Sequence, residues 1–303
     1  MKDYILGMDM GGTRLKAAVL DTDFKIQKTF YCNKNTDKNT RDMSTYEWKQ
    51  IINTHLNQLK AEYGANPISF GISTPGIPNK LHTKIGHMPK RLTEIQDLNW
   101  SALLDFQKQI YILNDAKAAF IAELQTDALR NTKNVFMLTL GTGVGGAAMV
   151  DGIILEGHLG RAGHLGNISV DMDGRQALTN IPGGLDNLIG NCQIEDRTYG
   201  LYSDPIQLEK DYEAGNTIAT EYWLKMVKAL AVGIASLINV LDPEIIVIGG
   251  GISNAEDNLF KPLADYLTMY EWRPYGDPIP IIKAIQGDFS GAIGAAIYAY
   301  RQQ

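Results

Sequence analysis

The chain has 303 residues, of which 45% are apolar and 20% charged, and its formal net charge is −6. That length suits about two domains with sizeable cores, and the composition excludes a wholly disordered chain. A mildly acidic balance lacks the positive field of a general nucleic-acid binder, so nucleic acid is not an expected partner. Cys32 and Cys192 are the only cysteines. They are too few and too far apart for a disulfide framework or a cysteine metal cluster, and they read as free thiols in a reducing compartment. The opening MKDYILGMDMGG has no long apolar core and no small-residue cleavage site. No apolar run approaches the roughly 20 residues that span a bilayer. A cytoplasmic protein without membrane contact is expected.

In chain order, Ile5 to Met8 is a short apolar run ending at Asp9, followed by Gly11, Gly12 and a second apolar run from Leu15 to Leu20. This strand, glycine turn and strand predict a hairpin. Lys34 to Arg41 is polar and reads as an exposed loop. Trp48, Ile51, Ile52, His55, Leu56 and Leu59 share one helical face, with His55 as a packed side chain. Ile68 to Ser73 is a strand stopped by Pro75-Gly76, and Ile110 to Leu113 is a strand running into Asn114-Asp115. Ala116 to Leu124 reads as helix. Val135 to Leu140, the glycine-rich Gly141 to Gly146, and Ala147 to Val150 repeat the hairpin pattern, which indicates an internal duplication. Ala219 to Leu241 predicts a long helix stopped by Asp242-Pro243. Ile245 to Ile248 is a buried strand ending in Gly249-Gly250-Gly251. Gly291 to Tyr300 is a helix of small residues suited to close backbone packing. Strands alternating with helices place the chain in the α/β class.

Four segments carry candidate chemistry. In Asp9-Met10-Gly11-Gly12-Thr13, the glycines would let backbone N–H groups approach a phosphate, and Thr13 adds a hydroxyl donor. Asp9 could orient a hydrated Mg²⁺ on ATP. A plain hairpin turn is the competing account. Gly141-Thr142-Gly143-Val144-Gly145-Gly146 is a second phosphate cradle that fits neither the Walker pattern nor a Rossmann fingerprint. Gly249, Gly250 and Gly251 could lie flat against adenosine, against the alternative of a wide turn into a helix. Asp115, at the carboxyl end of a strand, could take a proton from an attacking hydroxyl. It could equally cap the helix that follows, and the two roles compete.

Taken in order, Asp9-x-Gly-Gly-Thr13, Pro75-Gly76, Asn114-Asp115-Ala116, Leu140-Gly-Thr-Gly-x-Gly-Gly146, Ala162-Gly163 and Ile248-Gly-Gly-Gly251 resemble the ROK family of sugar kinases and sugar-responsive repressors. The match covers nearly the whole chain. The resemblance implies a duplicated actin/hexokinase-type (ribonuclease H-like) fold whose two lobes hold ATP and sugar in a central cleft. The lobes would be 1–115 with 290–303, and 116–289. It further implies Asp115 as general base, Asn114 and Gly76 at the sugar, the glycine loops at ATP, and Mg²⁺ as cofactor. A homodimer is the expected assembly.

The chain departs from the family around the sugar. Where the family has Ala-Gly-Glu-x-Gly-His and a zinc-binding cysteine cluster, this chain has Ala162-Gly163-His164-Leu165-Gly166-Asn167, with Ala177, Thr179 and Gly184 at the cysteine positions. None of these three ligates zinc in the usual way, so no zinc is expected. His164 and Asn167 can each donate and accept hydrogen bonds where a carboxylate only accepts, so the resemblance implies a pocket suited to a different or modified hexose, against the alternative that His164 is merely a packed or surface histidine. Asp186 stands where a second sugar-binding glutamate often lies. His158 is read as a loop histidine without a ligand role. Asn99-Trp100 and Met88-Pro89-Lys90 are candidates to line the sugar entrance. The expected activity is ATP-dependent phosphorylation of a hexose or derivative, at O6. The alternatives are a sugar-binding regulator and a binding protein that has lost catalysis. Asp9 follows the start too closely for a preceding helix-turn-helix, and intact Asp9, Thr13 and Asp115 speak against lost catalysis.

Overall fold

The computed structural model describes residues 3–33, 40–88, 92–176 and 179–303. Most of the expected loop from Lys34 to Arg41, together with Pro89, Lys90 and Ala177, lies outside the described residues. Strands β1 (Ile5–Met10), β2 (Leu15–Leu20) and β3 (Ile26–Tyr31) precede helix α1 (Thr45–Tyr63). Strands β4 (Ser69–Thr74), β5 (Ile77–Pro78) and β6 (Ile85–His87) follow, then α2 (Trp100–Leu103), β7 (Ile110–Asn114) and α3 (Asp115–Glu123). Next come β8 (Val135–Leu140), β9 (Val144–Val150), β10 (Ile153–Ile154), α4 (Leu185–Ile189), α5 (Ile194–Arg197), α6 (Pro205–Glu213) and α7 (Thr217–Leu241). The last elements are β11 (Ile245–Gly249), α8 (Asp257–Tyr270), β12 (Ile281–Lys283) and α9 (Ser290–Arg301).

Two compact units divide the chain. Unit 1 comprises Met1–Arg130, Glu156–Arg161 and Gln286–Gln303, and unit 2 comprises Asn131–Leu155 and Ala162–Ile285. The sheet of unit 1 has the order β3-β2-β1-β4-β7, and that of unit 2 the order β10-β9-β8-β11-β12. In each, the first three strands pair antiparallel and the last two join parallel. The same order and the same senses recur, so the duplication extends well beyond the two glycine hairpins. This is the duplicated ribonuclease H-like α/β arrangement.

In unit 1, Ser44 and Glu47 close a capping box at the start of α1, and Gly64 ends the helix in the left-handed region. The buried face of α1 packs Trp48 on Trp100, ring centroids 6.1 Å apart. Asn99 accepts a hydrogen bond from the Ala102 N–H and caps α2. Asn99-Trp100 is thus a core and capping pair, which corrects its assignment to a sugar entrance. Helix α9 lies so close to β1 and β4 that a Cβ at Gly7 or Gly71 would collide with its backbone. Its Gly294 meets α3 equally closely at Ala118 O. That contact places α3 in unit 1, so the unit boundary falls after Arg130 and not after Asp115.

In unit 2, α7 starts at the Asn216 cap and buries Trp223, Val227, Leu230, Ile234 and Ile238 in the core. By length and composition it is apolar enough to cross a membrane, and half of its most apolar stretch is buried inside the protein. This corrects the expectation that no apolar run reaches that length. Lys225 and Lys228 interrupt the run in sequence, but both lie on the exposed side of the helix.

Candidate functional site

In unit 1, the parallel register places Asp9 beside Ser73 and Thr74 beside Asn114. Three strands therefore deliver Asp9, Ser73 and Asn114-Asp115 to one edge of the sheet. Ser73 Oγ donates to Asp9 Oδ1 at 2.8 Å. Lys16, directly opposite Asp9 in the hairpin, places its Nζ 3.7 Å from Asp9 Oδ2 and 2.7 Å from Asp288 Oδ1. Tyr31 donates its hydroxyl to the other Asp288 oxygen. Burial pushes the Asp9 carboxyl up to about 6; Lys16 and Ser73 oppose the rise, and Asp115 and Asp288 add to it. Lys16, Ser73 and Asp288 were not among the sequence candidates. Lys16 left a signal, because it is the one charged residue in an otherwise apolar strand.

The turn from Gly11 to Thr13 is held through its backbone. Buried Asn33 accepts from the Leu15 N–H and donates to Thr13 O, at 3.0 and 3.3 Å. Thr13 itself is exposed. A Cβ on Gly12 would meet nothing within 4 Å, and Gly12 is not among the residues with positive φ. Neither packing nor backbone conformation demands glycine there.

The two roles weighed for Asp115 separate. Asn114 is the N-cap of α3, its Oδ1 accepting from the Ala116 and Lys117 N–H groups at 3.1 and 3.3 Å. Its Nδ2 donates to Gly76 O and to Asp115 Oδ1, at 3.1 and 3.0 Å. Asn114 is 5% exposed and its carboxamide is fully engaged in holding the turn. The sugar contact expected of Asn114 would have to replace one of these bonds. Asp115 is the first residue of α3 and is exposed, and its Oδ1 also accepts from the Ala116 N–H at 2.8 Å.

In unit 2, the strand pair β8 and β11 brings Thr139 beside Gly249, so the second and third glycine segments are neighbours. Gly250 has φ 86°, and a Cβ there would strike the Leu140 backbone. This glycine is required by the fold. Gly141 and Gly251 are different: a Cβ at either would enter open space, and neither has positive φ. The Gly141–Gly146 turn is buttressed by the chain around α4. Asn191 N–H donates to Gly141 O and Cys192 N–H to Thr142 O, both at 2.9 Å. Asp186 Oδ1 accepts from the Val144 N–H at 2.6 Å and lies against Gly143. Asp186 thus holds the Gly141–Gly146 turn, a bond that its position in the sequence did not signal.

The segment Ala162–Asn167 packs on β9, with Gly166 against Val144 O and Gly163 against Ala147. His164 is half-buried and precedes a short turn, and Asn167 is exposed. Thr179 Oγ1 donates to Asn167 Oδ1 at 2.9 Å. Asn167 and Thr179, expected from the sequence at a histidine and a cysteine position of the family's zinc motif, are therefore joined by a hydrogen bond. Among the described residues no three His, Cys, Asp or Glu side chains are grouped to hold a metal ion. His158 is exposed.

The ROK family model matches residues 5–302. The chain belongs to the ROK family. It is 26% identical to a glucokinase of Thermotoga maritima, with 96% of each chain covered. It is 28% identical to an N-acetyl-D-glucosamine kinase of Yersinia pseudotuberculosis, covering 96% of this chain and 97% of that one. Among solved structures, a ROK hexokinase from Thermus thermophilus superposes with a TM-score of 0.83 at 26% identity, covering 99% of both chains. That hexokinase shares the fold described above, an actin/hexokinase-type duplication.

Proposed function

We propose that this ROK-family sugar kinase transfers the γ-phosphoryl group of ATP to O6 of a hexose or hexose derivative, with Asp115 as general base. The observation that carries the assignment is the division of labour at the start of α3. Asn114 caps the helix and holds Asp115 in place, and Asp115 presents its carboxylate at an exposed site at the carboxyl end of a strand. A carboxylate so placed can accept the hydroxyl proton as oxygen attacks phosphorus.

The glycines support the ATP half of the reading. Gly12, Gly141 and Gly251 have no packing or conformational need to be glycine. Close approach of a ligand to the backbone accounts for all three, with Gly11, Thr13, Thr142, Gly143, Gly145, Gly146, Gly249 and Gly250 completing the phosphate and adenosine segments. Asp9 would suit a hydrated Mg²⁺, because Ser73 orients its carboxylate, and Lys16, 3.7 Å from the other oxygen and closer to Asp288, leaves that charge only partly compensated. Bound there with ATP, Mg²⁺ would offset phosphate charge. Gly76, Asn114, His164, Asn167 and Asp186 are the sugar-side candidates, the contacts of Asn114 and Asp186 competing with the bonds each already makes, and a cytoplasmic homodimer is the expected form.

Asp115→Asn tests the assignment. The variant is expected to keep ATP binding while its kcat falls by about 10²–10⁴-fold in a coupled assay of ADP release. Full activity in that variant would remove Asp115 from the mechanism.

A further inference from the structure

Lys117 is the third residue of α3, two positions after Asp115, and only 2% exposed. A buried ammonium requires partners. It finds them in one short segment: Nζ lies 3.4 Å from Glu156 Oε2 and donates to Gly160 O at 3.3 Å. Burial lowers the Lys117 pKa and Glu156 opposes that shift, so the pair is electrostatically dependent.

Glu156 has a second partner. His82 Nε2 lies 3.3 Å from the same carboxylate oxygen. His82 is anchored in turn on the edge of the unit 1 sheet. Its Nδ1 lies 3.1 Å from Ile112 O, and its own carbonyl accepts from the Ile112 N–H at 2.7 Å. The ring packs beside Tyr298 of α9, centroids 5.0 Å apart. Lys117 and His82 thus hold Glu156 from a helix and a strand edge.

The segment they hold is Glu156–Arg161, which belongs to unit 1 although the chain before and after it belongs to unit 2. Gly157 and Gly160 turn it with φ of 72° and 74°. Ala162-Gly163-His164 follows immediately. We infer that Lys117, Glu156 and His82 form a clamp that fixes this strap on unit 1, and that all three are positioning residues for the sugar-binding loop at 162–167. The inference rests on the sugar-kinase reading for the role of that loop, and on geometry alone for the clamp. It also ties the strap to the helical turn that carries Asp115.

Two variants test it, each compared with the wild-type chain by hydrogen exchange and by calorimetric titration with hexoses and with ATP. Lys117→Met keeps the apolar stem and removes the charge. Glu156→Gln changes a side chain that is 42% exposed and should fold without difficulty. Both are expected to speed amide exchange across 157–161 and to weaken hexose binding by about tenfold, leaving ATP binding within about twofold. Unchanged exchange in Glu156→Gln would overturn the clamp. Faster exchange with undiminished hexose affinity would overturn the positioning role and leave a purely structural one. A wild-type chain that binds hexose but turns over no ATP would contradict the kinase reading, while the binding comparison would still decide the clamp. A wild-type chain that binds no hexose would overturn the positioning role.

Discussion

Asp9 is held between Ser73, Lys16 and the start of α9, and burial raises its carboxyl from 3.8 to about 6. A carboxyl raised on folding binds its proton more tightly in the folded state than in the unfolded state. Its ionisation therefore lowers stability as pH climbs from about 4 to about 6, and the penalty persists above that window. Without nucleotide or metal, Asp9→Asn should raise the unfolding free energy at pH 7.5 by up to about 3 kcal/mol, the net rise in pKa already including the attraction to Lys16. Denaturant melts should show that gain vanishing near pH 4; a gain independent of pH would contradict the account. A site residue that weakens the fold is a common sign of selection for function. Asp9 and Asp115 were legible in the sequence because each stands where an apolar run meets glycine or a helix start. Lys16 and Asp288 were not, because they are 272 positions apart and only the tertiary fold makes them partners. Asp186 was placed near the sugar only by the family resemblance, and its bond to the Val144 N–H was not legible because the two residues are 42 positions apart.

At the scale of elements, the glycine segments divide into two kinds that sequence alone cannot separate. Gly250 serves the fold, since its φ is 86° and a side chain would strike Leu140. Gly250→Ala is expected to cost about 2 kcal/mol or more in thermal or chemical unfolding. Gly12 serves no such purpose. Gly12→Ala should leave stability within about 1 kcal/mol, or raise it slightly, while ATP KM increases by about tenfold or more. Equal stability losses in the two variants would contradict the phosphate reading of the first turn. The hairpins, α1, α7 and α9 were visible from periodicity and turn residues. The placement of α3 was not. Its residues from Ala116 to Glu123 are buried on every side, so no amphipathic face reveals which unit it joins. The close Gly294–Ala118 contact decides the matter, and that contact spans most of the chain.

At the scale of the whole molecule, two sheets with one strand order account for the duplicated fold, and the ordered motifs allowed that fold to be read from sequence. The expected lobe boundary came from motif positions and missed both α3 and the Glu156–Arg161 strap, since membership in a unit depends on long-range packing. Asn167 and Thr179, which the sequence resemblance aligns with a histidine and a cysteine of the family's zinc motif, are joined by a hydrogen bond. Elemental analysis of the purified chain is expected to find no stoichiometric zinc, and one tightly bound zinc per chain would contradict that expectation. Asp115 is proposed to activate a sugar hydroxyl for attack on ATP. A coupled assay with Mg²⁺-ATP, run across hexoses, N-acetylhexosamines and ketohexoses, tests it most directly when wild type and Asp115→Asn are compared side by side. Sugar-dependent ADP release by the wild type, lost in the variant with ATP binding retained, is the predicted result. Undiminished turnover in Asp115→Asn, or no sugar-dependent turnover by the wild type on any of these sugars, would contradict it.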